Sequence, residues 1–459
     1  MVDVSRGAAD GVEGTWMWKD GEAGEMRLTF LNDAKGASEL GLELDPKSIV
    51  AVVKDEVDPT AYTVIVVEQE DTVEGKPPPI PSIRSIPAKG LPPDFVTKYG
   101  IDKSKADLFN PEHRITVIIS TKSGTKQAAS FNEQTIKPLF GILGLLPRTT
   151  FYTTTSTTSI TEYTHSTILS LASSNIKQHI LLLSGDGGTI DLLNALLSSP
   201  LPTTFTPPLI YPLPFGTGNA LSNSYLYTTD STWGLSTLLR GTPRPLPSFR
   251  ATFSPSARLV TNEGRDHLPL PSIANTPTLF GAVVCSRGLH STLVADSDTA
   301  HYRQFGAARF GMVAKELLFP PEGSHHVYKG TVKIKDPYTG EWESAGDGEH
   351  SYILATMVSN LEKTFVISPD SKTLDGMMRL VRMGKMDGTE LMGVMEGAYQ
   401  EGKHVGMQGV HYREVDGVRI EVVEPEERWR RVCVDGTIVA LEQGGWVQVE
   451  KEGRGVVEV

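Results

Sequence analysis

The chain has 459 residues, 43 basic and 55 acidic, with a net charge of −12 and 39% hydrophobic against 21% charged residues. That length supports two or three domains with cores of their own, and the composition is that of a folded globular protein. The acidic balance, with no long Lys/Arg run, excludes an electrostatic nucleic-acid binder and disfavours standing attachment to anionic membranes.

The first residues, Met1-Val2-Asp3-Val4-Ser5-Arg6, lack the apolar centre of a signal peptide. No apolar run approaches the ~20 residues that span a bilayer, so the expectation is a cytoplasmic protein with at most peripheral membrane contact. Between Gly14 and about Glu70, the runs Met26–Phe30, Ser48–Val53 and Tyr62–Val67 alternate as strands do. Prolines then crowd from Lys76-Pro77-Pro78-Pro79 to Pro92-Pro93, and prolines cannot donate to a ladder. Residues 1–110 are therefore expected to be a β-rich region ending in a proline-rich linker or exposed loop.

From Arg114 strands and helices alternate. Ile115–Ile119 reads as a strand, followed by the turn Lys122-Ser123-Gly124 and a helix toward Leu146. Strand 149–152, helix 162–173, strand 179–183, helix 189–197, strand 209–213 and helix 219–226 follow. This rhythm predicts a parallel sheet with helices on both faces over residues 111–244, with ligands at the carboxyl ends of its strands. Past Pro243-Arg244-Pro245 it stops. Residues 245–459 read as a mostly antiparallel β domain, with strands over 279–285, 327–334, 352–358, 418–423 and 429–434 and one helix over 303–318. The two cysteines, Cys285 and Cys433, each sit in an apolar strand, which fits buried free thiols in a reducing compartment.

Two glycine corners carry the chemistry: Ser184-Gly185-Asp186-Gly187-Gly188 and Pro214-Phe215-Gly216-Thr217-Gly218-Asn219. Each follows an apolar strand where a helix begins, and such a corner offers backbone N–H groups to phosphate. Asp186 adds a carboxylate that can take a proton or hold Mg²⁺. Alone it would read equally well as a helix N-cap. Paired with the second corner, it suggests a kinase built without a lysine-bearing phosphate loop.

These motifs resemble the diacylglycerol kinase catalytic domain family and, within it, the sphingosine kinase branch. Ser184-Gly185-Asp186-Gly187 and Leu213–Leu221 match two glycine motifs, Tyr302–Phe310 is similar to an arginine signature, and Leu374-Asp375-Gly376 and Val434-Asp435-Gly436 match later motifs. The resemblance runs from about Ile115 to the C-terminus. It implies a Rossmann-type nucleotide domain shared with NAD kinases, followed by an antiparallel β-sandwich. It also implies ATP and Mg²⁺ as cofactors, though it names no metal ligand, and a lipid substrate met at a membrane surface.

Asp186 would be the general base for the lipid's primary hydroxyl. Ser120, Lys122, Ser123, Gly124, Thr161, Ser184, Gly185, Gly187, Asp191, Gly216, Thr217, Gly218, Asn219 and Asp435 would line the ATP site. Arg303 and Arg309 would neutralise phosphoryl charge. Asp296, or Asp298 in its place, would meet the ammonium of a sphingoid base, unless this segment is only a solvated turn. Departures are Ser120 where the family begins Asn-Pro, Thr437 where it has Glu, Arg287 where an aromatic is usual, and Thr161 and His165 spaced one residue short. The resemblance thus implies a sphingoid-base kinase. The alternatives are a diacylglycerol or ceramide kinase, or a weak pseudokinase that binds nucleotide or lipid.

Overall fold

The alternating and continuous apolar runs assemble into three sheets. The computed structural model describes residues 2–19, 27–32, 40–71 and 78–459; Met26 of an expected strand and Lys76-Pro77 of the proline stretch lie outside the described residues.

The first sheet has eight strands: Val2–Ala9, Val12–Lys19, Arg27–Asn32, Leu40–Leu44, Ile49–Lys54, Ala61–Glu68, Ser82–Lys89 and Gly100–Ile101. All pair antiparallel except Gly100–Ile101, which lies parallel to Ile49–Lys54. The proline-rich stretch is thus not a loop throughout. In Ser82–Lys89 the carbonyl of Pro87 accepts from the Asp10 N–H at the end of Val2–Ala9, where that pairing runs out and no proline N–H is needed. Helix Pro93–Tyr99, with proline at its first position, covers one face and sets Phe95 and Tyr99 edge-on to Trp18 at 5.2 and 5.8 Å.

The opposite face is not solvated. Val50, Ala51, Val53, Ile65 and Val67 share a core with Leu139, Phe140, Leu143, Leu235 and Leu238 of the next layer. Arg240 seals the joint by donating to the carbonyls of Val50 (3.2 Å) and Lys98 (3.1 Å).

The second sheet is fully parallel, in the order Thr149–Thr153, Arg114–Ile119, Gln178–Ser184, Leu209–Pro214. Every residue of Gln178–Ser184 is buried, as a central parallel strand requires. Chain direction across the sheet reverses between Arg114–Ile119 and Gln178–Ser184, which opens a crevice at their carboxyl ends. The helix after Ser184 spans Asp186–Leu197, three residues earlier than expected, and Leu235–Arg240 is a helix that the sequence pattern did not announce.

The third sheet is a single curled, largely antiparallel sheet of fourteen strands around Phe249, Phe253, Val332, Ile334, Ile353 and Val418. The α/β plus β architecture read from the sequence is therefore present, with the second part curling on itself. Two expected elements are split. The run 279–285 is two strands, Thr276–Gly281 and Val284–Gly288, and the helix over 303–318 is Ala300–Arg303 and Ala308–Leu318, broken at Gly306 with φ +56°. Cys285 and Cys433 are buried free thiols on adjacent strands. Helix Asp186–Leu197 joins the two domains: Asn194 donates to the carbonyl of Phe280 (2.8 Å) and accepts from its N–H (2.9 Å). Among the described residues no helix is long and apolar enough to cross a membrane.

Candidate active site

Three loops leave the carboxyl ends of the parallel strands and touch through their glycines. A Cβ on Gly185 would lie 2.8 Å from Gly216 Cα, and one on Gly124 would lie 2.5 Å from the carbonyls of Phe215 and Gly216. The missing side chains at Gly124, Gly185 and Gly216 thus let the loops pack on one another. Asn219, at φ +55°, closes the second corner by accepting from the Gly216 N–H (2.7 Å) and donating back to its carbonyl (3.1 Å). Asparagine tolerates that left-handed backbone better than most residues. The hydroxyls of Ser120 and Ser123 share a hydrogen bond of 2.6 Å in the first loop. Gly187 is different: a Cβ there would meet nothing within 4 Å. It lies exposed in the first turn of Asp186–Leu197, where N–H groups have no intrahelical acceptors.

Asp186 joins the two corners. It opens its own helix and caps the next one, accepting from the N–H groups of Ala220 (2.7 Å, Oδ2) and Leu221 (3.0 Å, Oδ1). Each oxygen keeps a second acceptor position. Burial raises its pKa above the usual carboxylate value, and the two N–H groups oppose that rise. Asp191, further along the same helix, makes no hydrogen bond or ion pair among the described residues, and burial pushes its carboxyl up to about 6.

Asp435 faces this site from the curled sheet. It forms, with Gly436, the two-residue turn between Arg431–Val434 and Thr437–Ala440, at φ +47° and +90°. Its carboxylate accepts from the N–H groups of Ala282 (2.7 Å), Val283 (3.2 Å) and Val284 (2.5 Å), which is why the run 279–285 breaks into two strands there. Burial first, then the charge of Asp186, pushes the Asp435 carboxyl up to about 7 against those three donors.

Beside the second corner lies an apolar cavity of about 270 Å³ that starts at Gly218. Its walls include Leu289, Leu293, Val294, Phe310, Phe365, Met392 and Met395, with His290, Tyr352, Glu362 and Tyr399 as polar lining. His290 is bonded to the Ser286 hydroxyl (2.7 Å), and burial lowers its pKa to about 4, so it is neutral. Two of the supporting helices, Leu289–Ser297 and Gly388–Ala398, were missed in the sequence reading. Signals for both existed: His290, Leu293 and Val294 at helical spacing, and Asp387 with Glu390 as a capping box.

Helix phase places the expected headgroup ligands outside the cavity lining. With His290, Leu293 and Val294 on the cavity side of Leu289–Ser297, Asp296 projects into a separate groove. There it pairs with Arg428 (2.8 Å) and Arg431 (3.3 Å). Asp298 is held bidentately by Arg303 at 2.8 Å to each oxygen, so that arginine is engaged as well. Arg309 is half-buried over the Phe310 ring, its Nε unpartnered, next to the residue that lines the cavity. Thr161 lies on the helix turn whose Ile160 packs near Gly188, and Lys122 is exposed. Ser184 is buried beneath the corner, and Thr217 is exposed at its rim.

Residues 114–251 match the diacylglycerol kinase catalytic domain. Two solved structures of "a putative diacylglycerol kinase from Bacillus anthracis str. Sterne" share the fold, each at 15% identity with a TM-score of 0.50. They cover 75% of this chain, and the matches extend over 94% and 96% of theirs. Comparison with curated proteins finds no match. The segment with the two glycine corners and Asp186 matches the diacylglycerol kinase catalytic domain, a family that uses ATP, and the chain that carries it is a lipid kinase.

Proposed function

We propose that the enzyme transfers the γ-phosphoryl group of ATP to the primary hydroxyl of a sphingoid long-chain base. The observation that carries this reading is the apolar cavity beginning at Gly218, with a carboxylate in its wall, beside the corner that Asp186 holds. The open first turn at Gly187 and the rim at Thr217-Gly218 receive the ATP phosphates. The lipid chain occupies the cavity, with its hydroxyl at Asp186. Asp186 takes the hydroxyl proton, the lipid oxygen bonds to the γ-phosphorus, and the bond to the bridging oxygen breaks to leave ADP.

Among the described residues no cluster of three or more His, Cys, Asp or Glu side chains is placed to hold a metal. That suits a Mg²⁺ ion held chiefly by phosphate oxygens, with the partnerless Asp191 carboxylate as the protein's contribution; when bound, it offsets phosphate charge. On this reading residues 1–110 brace the nucleotide domain 111–244, and 245–459 hold the lipid. The exposed side chains of Met312, Phe319 and Tyr399 around the cavity favour brief contact with a membrane surface.

Two expectations follow from the geometry. Gly187→Val and Gly218→Val raise the KM for ATP, whereas Gly216→Val, which would drive a side chain into Gly185, lowers the melting temperature first, at a cost of about 1–3 kcal/mol. Arg309→Ala lowers kcat about tenfold or more, as loss of a charge-assisted contact does. Arg303→Ala has the smaller effect because Asp298 already engages that side chain. Thermal melts and steady-state kinetics separate these outcomes. The substrate assignment is tested by incubating the enzyme with ATP and sphingosine, phytosphingosine, ceramide or diacylglycerol separately, and identifying products by mass. Phosphorylation of the two bases is expected. Product only from ceramide or diacylglycerol would replace the assignment.

A further inference from the structure

We infer that Glu362 selects amine-bearing lipids, its carboxylate accepting hydrogen bonds from the substrate ammonium inside the apolar cavity. The inference rests on the reading of the chain as a kinase of long-chain bases, and it names the group that would enforce that choice.

Among the described residues, Glu362 is the one charged residue lining the cavity. It is half-buried, yet its carboxylate makes no hydrogen bond or ion pair with any described residue. A carboxylate against apolar walls normally finds a cation or a set of N–H donors. Here no described lysine or arginine lines the cavity, and His290, tied to Ser286, is neutral. The partner is therefore left for the ligand to supply.

Its position is fixed from the catalytic side. The loop bearing Glu362 is tightened by hydrogen bonds from the Leu361 N–H to the Phe365 carbonyl (3.1 Å) and from the Phe365 N–H to the Glu362 carbonyl (3.2 Å). The Asn360 N–H donates to the Ser224 hydroxyl (3.2 Å), on the helix that Asp186 caps. The Leu361 carbonyl lies 3.2 Å from where a Cβ on Gly218 would stand. One short path thus links the general base, the phosphate corner and Glu362.

A long-chain base carries its ammonium on the carbon next to the one that bears the reacting hydroxyl. With that hydroxyl at Asp186 and the chain in the cavity, the ammonium meets the wall that holds Glu362. A neutral lipid would leave the carboxylate desolvated and unpaired, and so would be rejected.

The test compares kcat/KM for sphingosine with that for the amine-free 1,3-diol of the same chain. The unmutated enzyme should prefer sphingosine. Glu362→Gln should cut that preference roughly tenfold or more, with the loss in the KM for sphingosine rather than in the KM for ATP. Glu362→Asp keeps the charge and should retain the preference. A Glu362→Gln enzyme that still binds ATP and prefers sphingosine as strongly as the parent would overturn this inference alone. A parent enzyme that prefers the diol or diacylglycerol would overturn the inference together with the substrate reading beneath it.

Discussion

Asp186→Asn is expected to lower the rate of lipid phosphorylation by about 10²–10⁴-fold, the usual contribution of a positioned general base. It is also expected to lower the melting temperature. Both carboxylate oxygens accept backbone N–H groups, from Ala220 and Leu221. An amide can satisfy one of them but turns an N–H donor toward the other, which costs about 1–3 kcal/mol. Activity should therefore be measured well below the melting point of the variant, with ATP binding as the control for folding. The pH dependence adds a second readout. Asp186 must be ionised to accept the proton, and burial raises its pKa above 3.8. Lipid kcat/KM should therefore fall on the acid side at a pH above the ordinary carboxylate range, and this limb should vanish in Asp186→Asn.

Asp435→Ala is expected to give the largest loss of stability. It strips the acceptor from three N–H groups at Ala282, Val283 and Val284, which lie in the break between two strands. Each unsatisfied donor costs roughly 1–3 kcal/mol where water cannot replace the partner, so a loss of about 3 kcal/mol or more follows. Chemical denaturation of both proteins measures it. The charge on Asp435 has the opposite consequence for pH. Its pKa rises from 3.8 to about 7 on folding, so the folded state binds the proton more tightly. The stabilisation from protonation is complete below about pH 4 and is lost as pH rises through about 7. Asp435→Asn, which cannot titrate, should flatten this part of the stability–pH curve.

The parallel-sheet half was legible because its signals are local. Gln178–Ser184 carries the apolar run Ile180–Leu183 closed at Gly185, and the corner at Gly216 repeats the pattern, so the sheet and its crevice could be read from the chain. The two antiparallel sheets depend on pairings that sequence spacing does not display. Strand Ser82–Lys89 hid in a proline-rich stretch because Pro87 falls where its pairing with Val2–Ala9 ends, while the ladder with Ala61–Glu68 continues through it. The break between Gly281 and Val284 is imposed by Asp435, about 150 positions later in the chain. Linear spacing does not register the phase of helix Leu289–Ser297, which points Asp296 at Arg428. Glu362 had no motif around it. It enters the cavity only through the packing of its loop on Gly218 and Ser224.

The most direct test of the account is a competition. Sphingosine and diacylglycerol are mixed at equal concentration in detergent micelles with the purified enzyme and ATP labelled at the γ-phosphate. Label is expected in the phosphorylated base, little in phosphatidic acid, and none in either with Asp186→Asn. Label that accumulates mainly in phosphatidic acid, or that persists in the base with Asp186→Asn, would contradict it.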